Sequence, residues 1–169
     1  MKIMLTESEI GTIRIISSLK SLVNRGAGVK DQKFSPKDGF TIDYDGMIGE
    51  YGFCKYFNLF CDVTINVRSG TYDCLYNGQR IDVKTSRHAN PVLIVKKKKN
   101  LDIDVFALCI IKDYEVEIVG WIFASELYKD ENLKDLGHGD CYVITIDRLK
   151  PFKQKTDYNE ISKNQPIVH

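Results

Sequence analysis

Apolar residues recur at helical spacing near the start of the chain: Ile10, Ile13, Ile16, Leu19, Leu22 and Val23. Just upstream, Thr6-Glu7-Ser8-Glu9 has the form of a capping box, with Thr6 at the N-cap and Glu9 three positions on. The helix is expected to stop near Asn24-Arg25-Gly26, with Gly26 or Gly28 as its C-terminal glycine. The polar stretch from Lys30 to Gly39, which contains Pro36, predicts a loop. A second helix is expected to open at Asp43 or Asp45. Ile48, Tyr51, Phe53, Cys54, Tyr56 and Phe57 give it a broad apolar side, Glu50 sits in its middle, and Asn58 closes it.

The period then changes from helical to alternating. Val63, Ile65 and Val67 alternate with polar residues and predict a strand, and Ser69-Gly70 predicts a turn. Tyr72 to Tyr76 and Gln79 to Thr85 read as two more strands, joined by Asn77-Gly78, the strongest hairpin dipeptide in the chain. Together they predict an antiparallel meander. An apolar run from Val92 to Val95 follows Pro91. Val105 to Ile111 is nearly continuous in apolar residues and reads as a strand buried on both faces. Val116 to Ile122 follows it after the polar turn Lys112 to Tyr114. Ala124 to Tyr128 predicts a helical turn, Gly137-His138-Gly139 a loop, and Tyr142 to Ile146 a last strand.

At 169 residues and 19.4 kDa, one domain is the simplest organisation. Residues 1–40 would form an N-terminal helix and loop, 41–150 the core, and 151–169 a basic tail. The apolar runs fall far short of the roughly 18 residues that cross a bilayer, so no membrane partner is expected. The N-terminus reaches Glu7 before any signal-peptide core can form. The five cysteines (Cys54, Cys61, Cys74, Cys109, Cys141) are odd in number, widely spaced and without zinc-ligand spacing. They read as reduced, mostly buried thiols, and the protein as cytoplasmic.

A net charge of +1 excludes a wholly basic coat protein, but it hides strong segregation. Arg80 to Asn100 carries +6, Leu101 to Asp147 carries −8, and Arg148 to His169 carries +3. A +6 block can hold a polyanion even in a neutral protein.

Within that block lies the chemistry. Asp82 and Lys84 are two apart on one strand and share a face, while Ile81 and Val83 turn toward a core. The Asn77-Gly78 turn brings Asp73 beside them from the paired strand. Two carboxylates with a lysine alongside suit a hard cation, since magnesium takes one or two carboxylates and keeps waters for substrate phosphate. Taken singly these residues are ordinary, because Asp-x-Lys on a strand is a common surface ion pair.

The order Glu50, Asp73, Ile81-Asp82-Val83-Lys84-Thr85-Ser86 resembles the signature of the PD-(D/E)XK nuclease superfamily, with Tyr72 where that motif has proline. The resemblance spans roughly Asp43 to Val119. It implies an α/β (α+β) restriction-endonuclease-like core, a mixed central sheet with an antiparallel meander flanked by helices. It also implies catalytic roles for Glu50, Asp73, Asp82 and Lys84. Mg2+ or Mn2+ would be held by Asp73, Asp82, Glu50 and the Val83 carbonyl, with Lys84 serving the nucleophilic water. The expected function is divalent-metal-dependent hydrolysis of phosphodiester bonds in DNA, by an endonuclease rather than an exonuclease. Ser86, Arg87, His88 and Lys96, Lys97, Lys98 and Lys99 are the candidate phosphate contacts. Double-strand cleavage asks for two active sites, which a homodimer would supply. The alternative is a catalytically inactive nucleic-acid-binding or assembly module that retains the fold. No catalytic histidine is assigned.

Overall fold

A computed structural model describes residues 1–28, 39–67, 72–97, 102–137 and 139–152. The expected loop at 30–38, the turn at Ser69-Gly70, Lys98, Lys99, His138 and the tail from residue 153 lie outside the described residues.

The capping box at Thr6 forms as its sequence predicts. Thr6 Oγ1 accepts the Glu9 N–H at 3.2 Å, and the Glu9 carboxylate accepts the Thr6 N–H at 2.7 Å. Helix α1 (Glu7–Gly26) starts there and ends at Gly26, with Ala27 as C-cap and Gly28 at φ 69°. It packs on α2 (Gly39–Phe57) and buries Ile10, Ile13, Ser17 and Ser21. Leu19 and Leu22, counted in the apolar stripe, are exposed instead. α2 begins at Gly39, ahead of both aspartates proposed to open it. Asp45 is buried in mid-helix and paired with Arg87, so it has a tertiary role rather than a capping one. The helix ends in a Schellman motif. Asn58 takes φ 55°, the Leu59 N–H donates to the Cys54 carbonyl at 2.8 Å, and the Asn58 N–H donates to the Lys55 carbonyl at 3.3 Å.

The central layer is a five-stranded mixed sheet. Its strands are β1 (Lys2–Met4), β2 (Cys74–Tyr76), β3 (Gln79–Ser86), β5 (Val105–Lys112) and β6 (Glu115–Phe123), in the order β1-β6-β5-β3-β2. β3 and β5 run parallel, and the other neighbours are antiparallel. Asn77 and Gly78, at φ 50° and 78°, turn the β2–β3 hairpin with the positive angles of a type I′ turn. Val63 to Val67 form no strand, so among the described residues the expected meander is a two-stranded hairpin. The alternation is present in sequence, but Val63, Ile65 and Val67 are exposed and no strand among the described residues pairs with them.

The chain passes from β3 to β5 through a second sheet. β4 (Val92–Lys96), β7 (Leu133–Asp135) and β8 (Asp140–Thr145) lie in the order β4-β8-β7, beside the short helix α3 (Ala124–Leu127). The large sheet is therefore covered on both faces. Ile81, Val83, Val105, Ala107 and Cys109 pack into one core with Ile13, Met47, Ile48 and Phe53 of the helices. Phe106 and Leu108 point the other way, into a second core with Leu93, Ile122, Tyr142 and Ile144. β5 is buried on both faces, which is why its sequence is a continuous apolar run. The result is a mixed α+β fold. No helix among the described residues is long and apolar enough to cross a membrane.

Candidate active site

The parity of β3 builds the site. Ile81 and Val83 are buried in the helical core, and Asp82 and Lys84 project from the opposite face. Lys84 Nζ lies 2.5 Å from Asp82 Oδ1 and 6.0 Å from the centroid of the Phe106 ring below. Asp73 comes in from the edge. Its N–H donates to the Ile81 carbonyl at 2.8 Å, beside the Cys74–Ile81 pair at the end of β2. Its Oδ2 then accepts the Val83 N–H at 2.7 Å, a bond that a longer β2 would have made with backbone. The N–H and C=O of one strand residue point the same way, so the Val83 carbonyl also faces the Asp73 side.

Glu50, on α2, comes within electrostatic reach of Asp73, Asp82 and Lys84, and two close approaches set its height. Gly49 leaves no room for a side chain against Thr85, and Gly52 none against Val116. Burial pushes the Glu50 carboxyl up to about 7, with Lys20 opposing and Cys61 and Asp82 adding to the rise. Asp73 is held well above the usual carboxylate range by burial, then by Glu50 and Asp82. Burial works against the Lys84 ammonium, but Asp82, Asp73 and Glu50 outweigh it and raise its pKa. Two buried acids with raised pKa beside a lysine are the pattern of perturbed groups found at functional sites.

The oxygen donors have the chemistry a hard divalent cation needs. Asp73 uses Oδ2 on Val83 and Asp82 uses Oδ1 on Lys84, and neither makes a further hydrogen bond through its other oxygen among the described residues. They suit the one or two carboxylates that magnesium takes, rather than a closed cage. No three His, Cys, Asp or Glu side chains among the described residues stand as a ready-made metal group.

Two neighbours were not singled out from sequence. Lys20 of α1 donates to the Asp62 carbonyl at 3.1 Å and touches Met47 Sδ at 3.7 Å, which places its ammonium near Glu50. Nothing distinguishes it in sequence from other helix lysines. Cys61, half-buried beyond the Schellman turn, also faces Glu50 and Asp73.

The candidate phosphate contacts do not gather in the same way. Arg87 donates to Asp45 Oδ1 from Nε at 2.8 Å and from its terminal nitrogen at 2.7 Å. Ser86 Oγ accepts the His88 N–H at 3.1 Å, and His88 is exposed. Lys96 is half-buried at the end of β4, and Lys97 pairs with Asp140 at 2.6 Å. Arg80, from the same basic block, is held by Asp104 at 3.0 Å. Much of the +6 segment is therefore neutralised locally. The acidic stretch that follows supplies Asp104 and Asp140 as partners.

Comparison with protein-family models, with characterised proteins and with solved structures gives no match to the chain.

Proposed function

We propose that this protein is a divalent-metal-dependent phosphodiesterase of the PD-(D/E)XK type that hydrolyses DNA internally. The observation that carries the proposal is the convergence of Glu50, Asp73, Asp82 and Lys84 from a helix, a hairpin edge and one strand face. The parallel pairing of β3 with β5, and the packing of the Glu50 helix on β3, also support a restriction-endonuclease-like core.

Asp73 and Asp82 would hold Mg2+ or Mn2+, with Glu50 and the Val83 carbonyl completing the oxygen set. Bound there, the cation supplies an activated water and screens the phosphate charge. The chain's own groups have separable tasks. Lys84 is kept protonated by Asp82 and Asp73, so it orients the attacking water or stabilises charge on the phosphate rather than taking a proton. Glu50, at about 7, can exchange a proton at neutral pH. Asp73 ties the site to the backbone through Val83 and keeps the hairpin edge in register with β3.

The test is cleavage of supercoiled, linear duplex and single-stranded DNA with magnesium or manganese, beside Asp82→Ala and Lys84→Ala. Metal-dependent cleavage by wild type, lost in both folded variants, is the expected result. Absence of cleavage with no heat of cation binding would refute the proposal and leave the non-catalytic binding module.

A further inference from the structure

Phe60 differs from the other described phenylalanines. Phe40, Phe53, Phe57, Phe106, Phe123 and Phe152 each meet another aromatic ring. Phe60 meets none among the described residues and is 82% exposed. Its place is nonetheless fixed. The Schellman motif at Asn58 and Leu59 ends just before it, and Leu59 and Cys61 on either side pack against the helical core. Cys61 faces Glu50 and Asp73, and the next carbonyl, that of Asp62, holds Lys20 beside Glu50. The ring is thus rooted on the rim of the carboxylate cluster. Val63, Ile65 and Val67 extend the exposed apolar surface away from it.

An apolar ring beside a buried acidic centre has little to offer a phosphate, but it matches the flat face of a base. Bases inside a duplex are already stacked on one another. A phenyl ring therefore gains only where a base is unstacked, in a single strand, a frayed end or a branch.

Building on the phosphodiesterase reading, we propose that Phe60 is a stacking platform for an unstacked nucleobase next to the scissile phosphate, and that it biases the site toward single-stranded or locally opened DNA. Phe60 is a specificity residue, with no part in the bond-breaking step.

The test uses the whole chain in chelator, where cleavage cannot interfere. Binding of a labelled single-stranded oligonucleotide and of its blunt duplex is measured for wild type, Phe60→Ala and Phe60→Trp. Alanine is expected to weaken single-strand binding by about tenfold, the usual effect of removing one stacking ring, and to leave duplex binding unchanged. Tryptophan is expected to restore it, with its emission quenched by the single strand. The one native tryptophan, Trp121, is 6% exposed and does not compete as a surface reporter. Equal single-strand binding by wild type and Phe60→Ala, equal losses on both substrates, an unquenched tryptophan, or no DNA binding by wild type would each overturn the inference. Cleavage with magnesium is scored separately. Metal-dependent cleavage with binding indifferent to Phe60 would refute the platform and keep the nuclease. Phe60-dependent single-strand binding without cleavage would refute the nuclease and keep the platform.

Discussion

Replacing Gly49 by alanine should push α2 away from β3 and carry Glu50 with it. The added Cβ would fall well inside contact of Thr85 Oγ1, 2.9 Å from its Cγ2 and 3.0 Å from its Cβ. Thr85 is a β-branched residue on a central strand with few rotamers to choose from, so the helix must give way. Overpacking of this severity costs about 3 kcal/mol, the upper end of the usual range. Alanine returns about 1 kcal/mol through helix propensity. The net loss is then about 2 kcal/mol, or roughly 4–8 °C in Tm for a chain of this size. Thr85→Ala removes two of the three clashing atoms, and one of them, Oγ1, is buried without a hydrogen-bond partner. Thr85→Ala alone should therefore be close to neutral, and Gly49→Ala/Thr85→Ala should recover most of the loss. Urea unfolding of the four proteins gives the coupling, expected at about 1–2 kcal/mol. Gly49→Ala as stable as wild type, or a double variant no better than the sum of the singles, would refute the close helix–strand approach on which the placement of Glu50 rests.

Three further outcomes are expected. Glu50 has its pKa raised from 4.5 to about 7 in the folded chain, so the native state holds the extra proton between those values. Without metal, stability should fall as pH rises through that window, by about 3 kcal/mol at most. Glu50→Gln should remove part of that slope in thermal melts, with the raised Asp73 carboxyl keeping the rest, and added magnesium should offset the fall. Arg87→Ala removes the guanidinium from Asp45, which is only 8% exposed, and should cost about 1–3 kcal/mol; Asp45→Asn in the same chain should recover part of it in thermal melts. Asn132 is fully buried, donates to the Glu126 and Leu127 carbonyls at 2.9 and 3.0 Å, and accepts from Arg148 at 2.7 Å. Asn132→Ala should cost about 2–4 kcal/mol, read by urea unfolding, because it leaves the end of α3 and Arg148 without those bonds.

Local chemistry made some elements legible in sequence. The Thr6 box needs only four consecutive residues, and the Asn77-Gly78 turn needs only two positive φ angles. The placement of Asp82 and Lys84 opposite Ile81 and Val83 follows from strand parity alone. What failed depended on partners that sequence does not name. Val63, Ile65 and Val67 alternate like a strand, but among the described residues no strand pairs with them. Asp45 does not open α2; it lies inside the helix and is taken by Arg87, forty-two positions away. The apolar run Val92 to Val95 is a strand, yet it belongs to a second sheet whose other members come from beyond Leu133. β1 and β7, with three residues each, are too short to carry a period. Glu50, Asp73, Asp82 and Lys84 stand out in sequence as candidates through their order, their spacing and the resemblance they carry. Lys20 does not, because its approach depends on how α1 crosses α2.

The central claim is that Asp73, Asp82, Glu50 and Lys84 form one metal-dependent hydrolytic centre. The measurement that tests it most directly is nicking of supercoiled DNA as magnesium is titrated into wild type and into Asp82→Asn. Saturable, chelator-reversible nicking by wild type, lost in the variant with folding intact, is the expected result. Nicking that persists in Asp82→Asn, or a wild type inert at every magnesium and manganese concentration, would contradict it.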